Sequence, residues 1–234
     1  MDIGKSFTYM MEDPNWIMKI LIGGIVGLIP IVNFAAYGYM LTVVKNVADG
    51  QPTPLPEWGD FGAHFMKGLY AFVGILVYFL PAIVLICCVS LLGVLAGGAA
   101  SSTSGSSSDA GGALAGLLSI VSLCLNCVLA LYALVAGLTL YAPLTRFAMS
   151  NNQLSIFWDF RGNLDLIMKN LSNYVIAILI ALVAGFIASF GIILCVVGYF
   201  FTLFWSMLVS AHVFGQFWRT TQGAAPAPAM TTTM

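Results

Sequence analysis

The chain has 234 residues, of which 60% are hydrophobic and 7% charged, where an ordinary soluble domain carries about 25% charge. Eight Lys and Arg stand against nine Asp and Glu, so there is no strongly basic surface and nucleic-acid binding is excluded. Lipid is the solvent that this composition fits.

The first fifteen residues, MDIGKSFTYMMEDPN, are polar and acidic, unlike the basic start of a secretory signal peptide. They are expected to be retained, with the first apolar segment acting as the insertion signal. Crossing a hydrocarbon core of about 30 Å takes roughly 20 helical residues, so uncharged runs mark the spans. No charge lies between Lys19 and Lys45, between Lys67 and Asp109, between Asp109 and Arg146, or between Lys169 and Arg219.

Residues 16–45 hold the first apolar run, interrupted at Pro30, which removes a backbone donor and disfavours helix before it. Two readings stay open: one kinked span, or a short re-entrant hairpin turning over Pro30 to Asn33. Residues 46–67 read as an interfacial linker. Residues 68–96 and 114–145 form a predicted helical hairpin with a Ser/Gly loop at 97–113, a flexible composition. Pro81 and Pro143 fall inside its arms and predict kinks. Residues 147–169 read as an interfacial helix, and 170–188 with 192–218 as a second hairpin turning near Ser189, Phe190 and Gly191. The tail, 223–234, is predicted to be extended and disordered. The fold class is therefore all-α: a polytopic transmembrane helix bundle with amphipathic interfacial segments.

Basic residues favour the cytoplasmic side. A re-entrant first hairpin places all eight there, whereas a single kinked span splits them six to two. The hairpin is the reading adopted, with both termini in the cytoplasm of a multi-pass cell-membrane protein. The predicted interfacial anchors are Trp16, Lys19, Lys45, Trp58, Lys67, Arg146, Trp158, Lys169, Trp218 and Arg219, an aromatic belt beside cytoplasmic charge. The order Lys45, Trp58, Lys67 recurs about one hundred residues later as Arg146, Trp158, Lys169, which suggests a tandem duplication. The two linking segments either anchor the chain or form a platform for another protein.

Few residues could carry chemistry. His212 lies about 10 Å from Arg219 along a helix and reads as satisfied packing. His64 with Glu57 and Asp60 could hold a metal, but a solvated loop explains the trio more simply. Cys87, Cys88, Cys124, Cys127 and Cys195 all fall about 28–36 Å from the basic anchors, in the outer leaflet. As a thiol cluster they would form a disulfide or bind a soft metal such as Cu(I). As small apolar filler they need no partner, and no His, Met pair or carboxylate completes a site at that depth. Gly23 with Gly27, and Gly93 with Gly97, allow close helix approach. Asn33 and Asn126, the most deeply placed polar groups, are expected to hydrogen-bond neighbouring helices. No nucleophile and base pairing, phosphate loop or nucleotide fingerprint occurs, so no cofactor is expected.

The run DPNWIMKILIGGIVGLIPIVNFAAYGYMLTVVKNVADG, followed by PLPEWGDFGAHFMKGL, resembles the DUF4013 family of prokaryotic membrane proteins. The W-x-x-K-x-x-x-G-G start, the Ile-Pro break, the Gly38–Tyr39 pair and the Leu-Pro-Glu before the next helix carry the likeness. The resemblance implies a small multi-helix membrane protein of uncharacterised function and supplies no catalytic residues. The expected partners are the bilayer and other membrane proteins or further copies of the chain. The function expected is a non-enzymatic membrane interaction or assembly role. A small-molecule or lipid permease using the Pro30 break as a path is the alternative. An enzyme, third, would need a site around Glu57, Asp60, His64 or His212.

Overall fold

The computed structural model describes residues 1–102 and 109–223, leaving aside the side chains of 92, 95–102, 109–115 and 194–196. The predicted tail beyond Gly223 lies outside these residues. Among the described residues every regular element is helical: α1 (Ile3–Thr8), α2 (Trp16–Leu28), α3 (Phe34–Ala48), α4 (Phe61–Tyr78), α5 (Leu80–Ser102), α6 (Asp109–Thr139), α7 (Tyr141–Met149), α8 (Phe160–Lys169), α9 (Leu171–Ser189) and α10 (Cys195–Thr221). Short 3-10 turns occupy Tyr9–Glu12, Trp58–Asp60, Leu154–Phe157 and Phe190–Leu194. Among the described residues four stretches are long and apolar enough to cross a membrane: Trp58–Tyr78, Gly116–Met149, Leu171–Ile193 and Val197–Thr221.

The chain divides into two compact units, Met1–Ile75 with Tyr141 onward, and Leu76–Leu140. The first is built around α10, which packs against α9, α3 and α2. Its residues from Leu208 to Gly215 are buried without a break, because neighbours cover it on several sides. A helix so enclosed has no polar face to display, and the sequence CVVGYFFTLFWSMLVSAHVFG accordingly shows little segregation of polar residues. Tyr9, Tyr39, Phe147, Phe157, Phe204, Phe214 and Phe217 are among its fully buried side chains. On α9 the buried residues Tyr174, Ala177, Ala181, Ala184 and Ala188 recur at helical spacing; mostly alanine, they admit α10 closely.

The first apolar run is two helices of 13 and 15 residues, about 20 and 22 Å long and so each short of a 30 Å core. They are parted by Ile29–Asn33, where Ile31 adopts φ 72°. A β-branched residue pays a steric penalty in that left-handed region; the Asn33 amide donates to the Ile29 carbonyl at 3.0 Å and the Phe34 amide to the Ile31 carbonyl at 3.2 Å, which closes the turn.

Several boundaries differ from the sequence reading. Helix α4 begins at Phe61, inside the segment read as linker, so Lys67 lies two turns into a helix. The expected single arm 68–96 is broken at Phe79, and the arm 114–145 at Leu140. These breaks precede Pro81 and Pro143 by two and three residues, because each proline removes one intrahelical bond and crowds the carbonyl four residues earlier. Helix also runs further into the Ser/Gly stretch than 97–113 implied, with α5 reaching Ser102 and α6 starting at Asp109. Residues 103–108 lie outside the described ones. The segment 147–169 is the end of α7, a 3-10 turn and α8 rather than one interfacial helix.

The second unit is the pair α5 and α6, which pack against each other. Tyr78, Ala82, Leu85 and Val89 on one side, and Leu118, Ser122, Leu125, Leu129, Tyr132 and Ala136 on the other, are its less exposed positions. Steps of three and four residues alternate in both sets, the 3.5-residue repeat of a coiled-coil seam. At its base Tyr132 Oη donates to the Tyr78 carbonyl at 2.8 Å, and the hydroxyls of Tyr78 and Thr139 meet at 2.7 Å.

Candidate functional site

The polar chemistry of the chain gathers where α2, α3 and α4 begin or end. Lys19, one turn into α2, is 4% exposed. Its Nζ donates to Asp13 Oδ2 at 2.7 Å and to the Leu55 carbonyl at 3.2 Å, and pairs with Glu57 Oε1 at 2.7 Å. Asp13 is also buried, and its Oδ1 accepts from the Asn15 amide. Burying an ammonium is costly unless it is paired and fully hydrogen-bonded, and this arrangement satisfies it with two carboxylates and a carbonyl. The Trp58 indole donates to the Lys19 carbonyl at 3.1 Å and its ring stacks on Tyr39 at 4.4 Å. Tyr39 in turn donates to the Pro56 carbonyl at 2.9 Å. The segment Leu55–Trp58 is thereby clasped onto α2 and α3. Lys19 and Trp58, read from sequence as interfacial anchors, are members of this clasp, Lys19 buried and Trp58 half-buried.

In the same corner α3 and α4 approach closely. A methyl placed on Gly38 would overlap the His64 carbonyl, and one on Gly68 would overlap that of Phe34; each would also stand 2.9 Å from the other glycine's amide nitrogen. The approach is reciprocal and leaves no room for a Cβ. Gly23 and Gly24 of α2 face the rings of Phe204 and Phe201 on α10. The Gly23–Gly27 pattern therefore accommodates phenyl rings rather than a helix backbone.

His64 is buried, with Nε2 3.2 Å from the Glu57 carbonyl and Nδ1 3.4 Å from Thr42 Oγ1. It is not a solvated loop residue, because α4 starts before it and turns it inward against Tyr39 and Trp58. No three metal-ligating side chains converge among the described residues. His212 likewise has partners: Ser6 Oγ and Gln216 Nε2 each lie 3.0 Å from its Nδ1, and Tyr9 stacks on its ring at 4.2 Å. Gln216 also accepts from the Asp2 amide at 2.6 Å and donates to the Asp2 carbonyl. A serine beside a histidine invites a nucleophilic reading. Ser6, however, is 1% exposed and its hydroxyl faces the Asp2 carbonyl, so the set latches α1 to α10.

A third polar knot fixes α8. Arg146 donates to Asn163 Oδ1 at 2.7 Å and Asp159 Oδ2 at 2.8 Å, while buried Asn163 donates to the Ile156 carbonyl. Asp159 caps α8 by accepting from the Gly162 amide at 3.0 Å. That amide and the Arg146 guanidinium hold its carboxyl below the ordinary carboxylate range.

The remaining predicted site residues are placed as follows. Pro30 is exposed and Asn33 sits at the start of α3 with its amide oxygen buried and unpartnered, where a bond to a neighbouring helix was expected. Asn126 also bonds differently from expectation: its Nδ2 donates to the Ser122 carbonyl of its own helix at 2.7 Å. Cys87, Cys88, Cys124 and Cys127 are free thiols, exposed on α5 and α6; the side chain of Cys195 lies outside the described residues. Trp16, Trp218 and Arg219 are half-buried, whereas Lys45, Trp158 and Lys169 are exposed. The glycine crossing and the Ser6–His212–Gln216 latch were not anticipated. Gly38 and Gly68 are 30 residues apart in sequence and belong to no spaced pair.

No curated protein and no solved structure matches the chain. The model of a family described as a protein of unknown function, DUF4013, matches residues 22–197, about three quarters of the sequence. That stretch holds all of α3 to α9 and most of α2, together with Gly38, Glu57, Trp58, Gly68 and the Arg146 knot. The chain belongs to the DUF4013 family.

Proposed function

We propose that the chain is a non-enzymatic assembly protein of the membrane, anchored by its first unit and engaging other membrane proteins or further copies of itself through its second. One observation carries this reading. None of the most apolar stretch of Gly116–Met149 is buried, whereas half that of Val197–Thr221 is. Leu117, Ile120, Leu123, Leu131 and Leu134 on α6 are each 60% exposed or more and, at 100° per residue, share one flank of about 120° on the helix that packs along its seam with α5. In lipid, helix association comes from packing rather than from expulsion of water, and a long, nearly bare helix pair offers packing surface.

The positive-inside pattern supports cytoplasmic termini and the re-entrant reading of α2 and α3. So does the clasp, which joins the start of α2 to the residues that follow α3. The permease alternative has its own support in the buried, unpartnered Asn33 oxygen beside the Ile29–Asn33 break.

The test is extraction into polymer-bounded native nanodiscs followed by native mass spectrometry. A stoichiometric protein partner is expected, and Leu123→Trp with Leu131→Trp should reduce its occupancy at least tenfold. A lone chain carrying only lipid would overturn the proposal. So would solute flux in proteoliposomes that Asn33→Leu abolishes, which would establish the permease instead.

A further inference from the structure

The two segments that look alike in sequence are built differently. The first, around Trp58, is folded onto the protein: its indole is bonded and stacked, and the Leu55 and Pro56 carbonyls accept from Lys19 and Tyr39. The second presents an apolar flank. Leu164, Met168 and Leu171 are 55%, 62% and 49% exposed, and Trp158 just ahead of α8 is 59% exposed. At 100° per residue Leu164 and Met168 of α8 fall within about 40° of one another, and Leu171 opens α9 just beyond them. Next to them Arg161, Asp165 and Lys169 follow at four-residue steps and are likewise exposed. Asn163 and Ile167 form the buried edge.

Helix α8 cannot roll to hide this flank. The Arg146–Asn163 and Asp159–Gly162 bonds hold its N-terminal half, and Asn163 ties it to Ile156. At its other end the backbone breaks at Asn170 (φ −128°, ψ 32°), and α9 starts at Leu171. Because α9 is long and apolar enough to cross the membrane, α8 ends at the level where that span enters the bilayer. A fixed helix at this depth, with an apolar flank beside a charged one, has the form of a helix lying in the lipid interface.

We infer that α8 is an in-plane lipid-binding helix. Leu164, Met168, Leu171 and Trp158 insert at the boundary of headgroups and acyl chains, and Arg161 and Lys169 lie among the phosphates. The occupant of the flank is the bilayer itself, not a protein. This inference does not depend on what α6 engages; it needs only that α9 spans.

The full-length protein in phosphatidylcholine/phosphatidylglycerol nanodiscs, carrying benzoylphenylalanine at one position at a time, tests it by photocrosslinking and mass spectrometry. Lipid adducts are expected at Leu164 and Met168, at least fivefold above those at Asp165 and Arg161. Val183, 50% exposed in α9, is the control for the span and should also capture lipid. Adducts at Val183 with none at Leu164 or Met168 would overturn the inference while leaving the span intact. Equal labelling at all four α8 positions, or crosslinks from Leu164 to a second chain, would overturn it too.

Discussion

Lys19 and Asp13 show how single residues hold this fold. Both are buried and they pair at 2.7 Å, so removing Lys19 leaves the buried Asp13 carboxylate without its counter-ion, at a cost of roughly 3–5 kcal/mol. Lys19→Met should lower the melting temperature in detergent sharply, while Lys19→Met with Asp13→Asn should recover much of the loss. Glu57, whose side chain is 77% exposed, belongs to the surface class worth about 0–1 kcal/mol, so Glu57→Gln should scarcely move the transition. Asp159 gives a pH-dependent counterpart. Its carboxyl titrates lower folded than unfolded, so its contribution is complete above the unfolded value and is lost as pH falls through the folded one. Amide exchange at Gly162 and Asn163, corrected for intrinsic rate, should therefore accelerate as pH drops below the ordinary carboxylate range, and Asp159→Asn should flatten that response. Sequence marked Lys19 as a boundary charge but could not reveal its full set of partners, since Glu57 and the Leu55 carbonyl approach it only when the chain turns back after α3.

Among the elements, the α3–α4 crossing is the most sensitive to side-chain volume. Inserting volume into close-packed interiors costs typically 1–3 kcal/mol, and here a methyl would meet main-chain atoms, which cannot rotate away. Gly38→Ala and Gly68→Ala should each destabilise at or above the upper end of that range. Gly62→Ala, with nothing within 4 Å, should be neutral; similar losses at all three sites would refute the assignment. The helices themselves were legible because uncharged length is set by bilayer thickness, and the proline breaks because proline's lost donor is a local property. What escaped was the start of α4, hidden by polar and glycine residues at 58–64 that read as loop. The burial of His64 escaped with it, because the inward turn depends on where that helix begins.

At the scale of the whole molecule, charge distribution was enough to read a helical bundle. It did not show that the chain forms two units, because both unit boundaries fall inside uncharged runs, between Lys67 and Asp109 and between Asp109 and Arg146. The boundary coincides with the breaks before Pro81 and Pro143, so the features that sequence offered as kinks also bracket a separate body. The Tyr78 and Thr139 hydroxyls at its base are 2.7 Å apart, which makes Leu76–Leu140 an insertion whose ends already meet. Replacing residues 79–140 by a few glycines should leave the first unit folded, with its thermal transition and its sensitivity to Lys19→Met intact; an aggregated product would show that the unit is integral. Its 3.5-residue seam has a further consequence. Arms that repeat every seven residues can be shortened or lengthened by whole heptads without rotating one helix against the other, whereas adding or removing three or four residues in one arm alone would turn its packing face away. Reach is thus adjustable in steps of about 10 Å, and relatives of this chain could differ in the length of the arm while sharing one base.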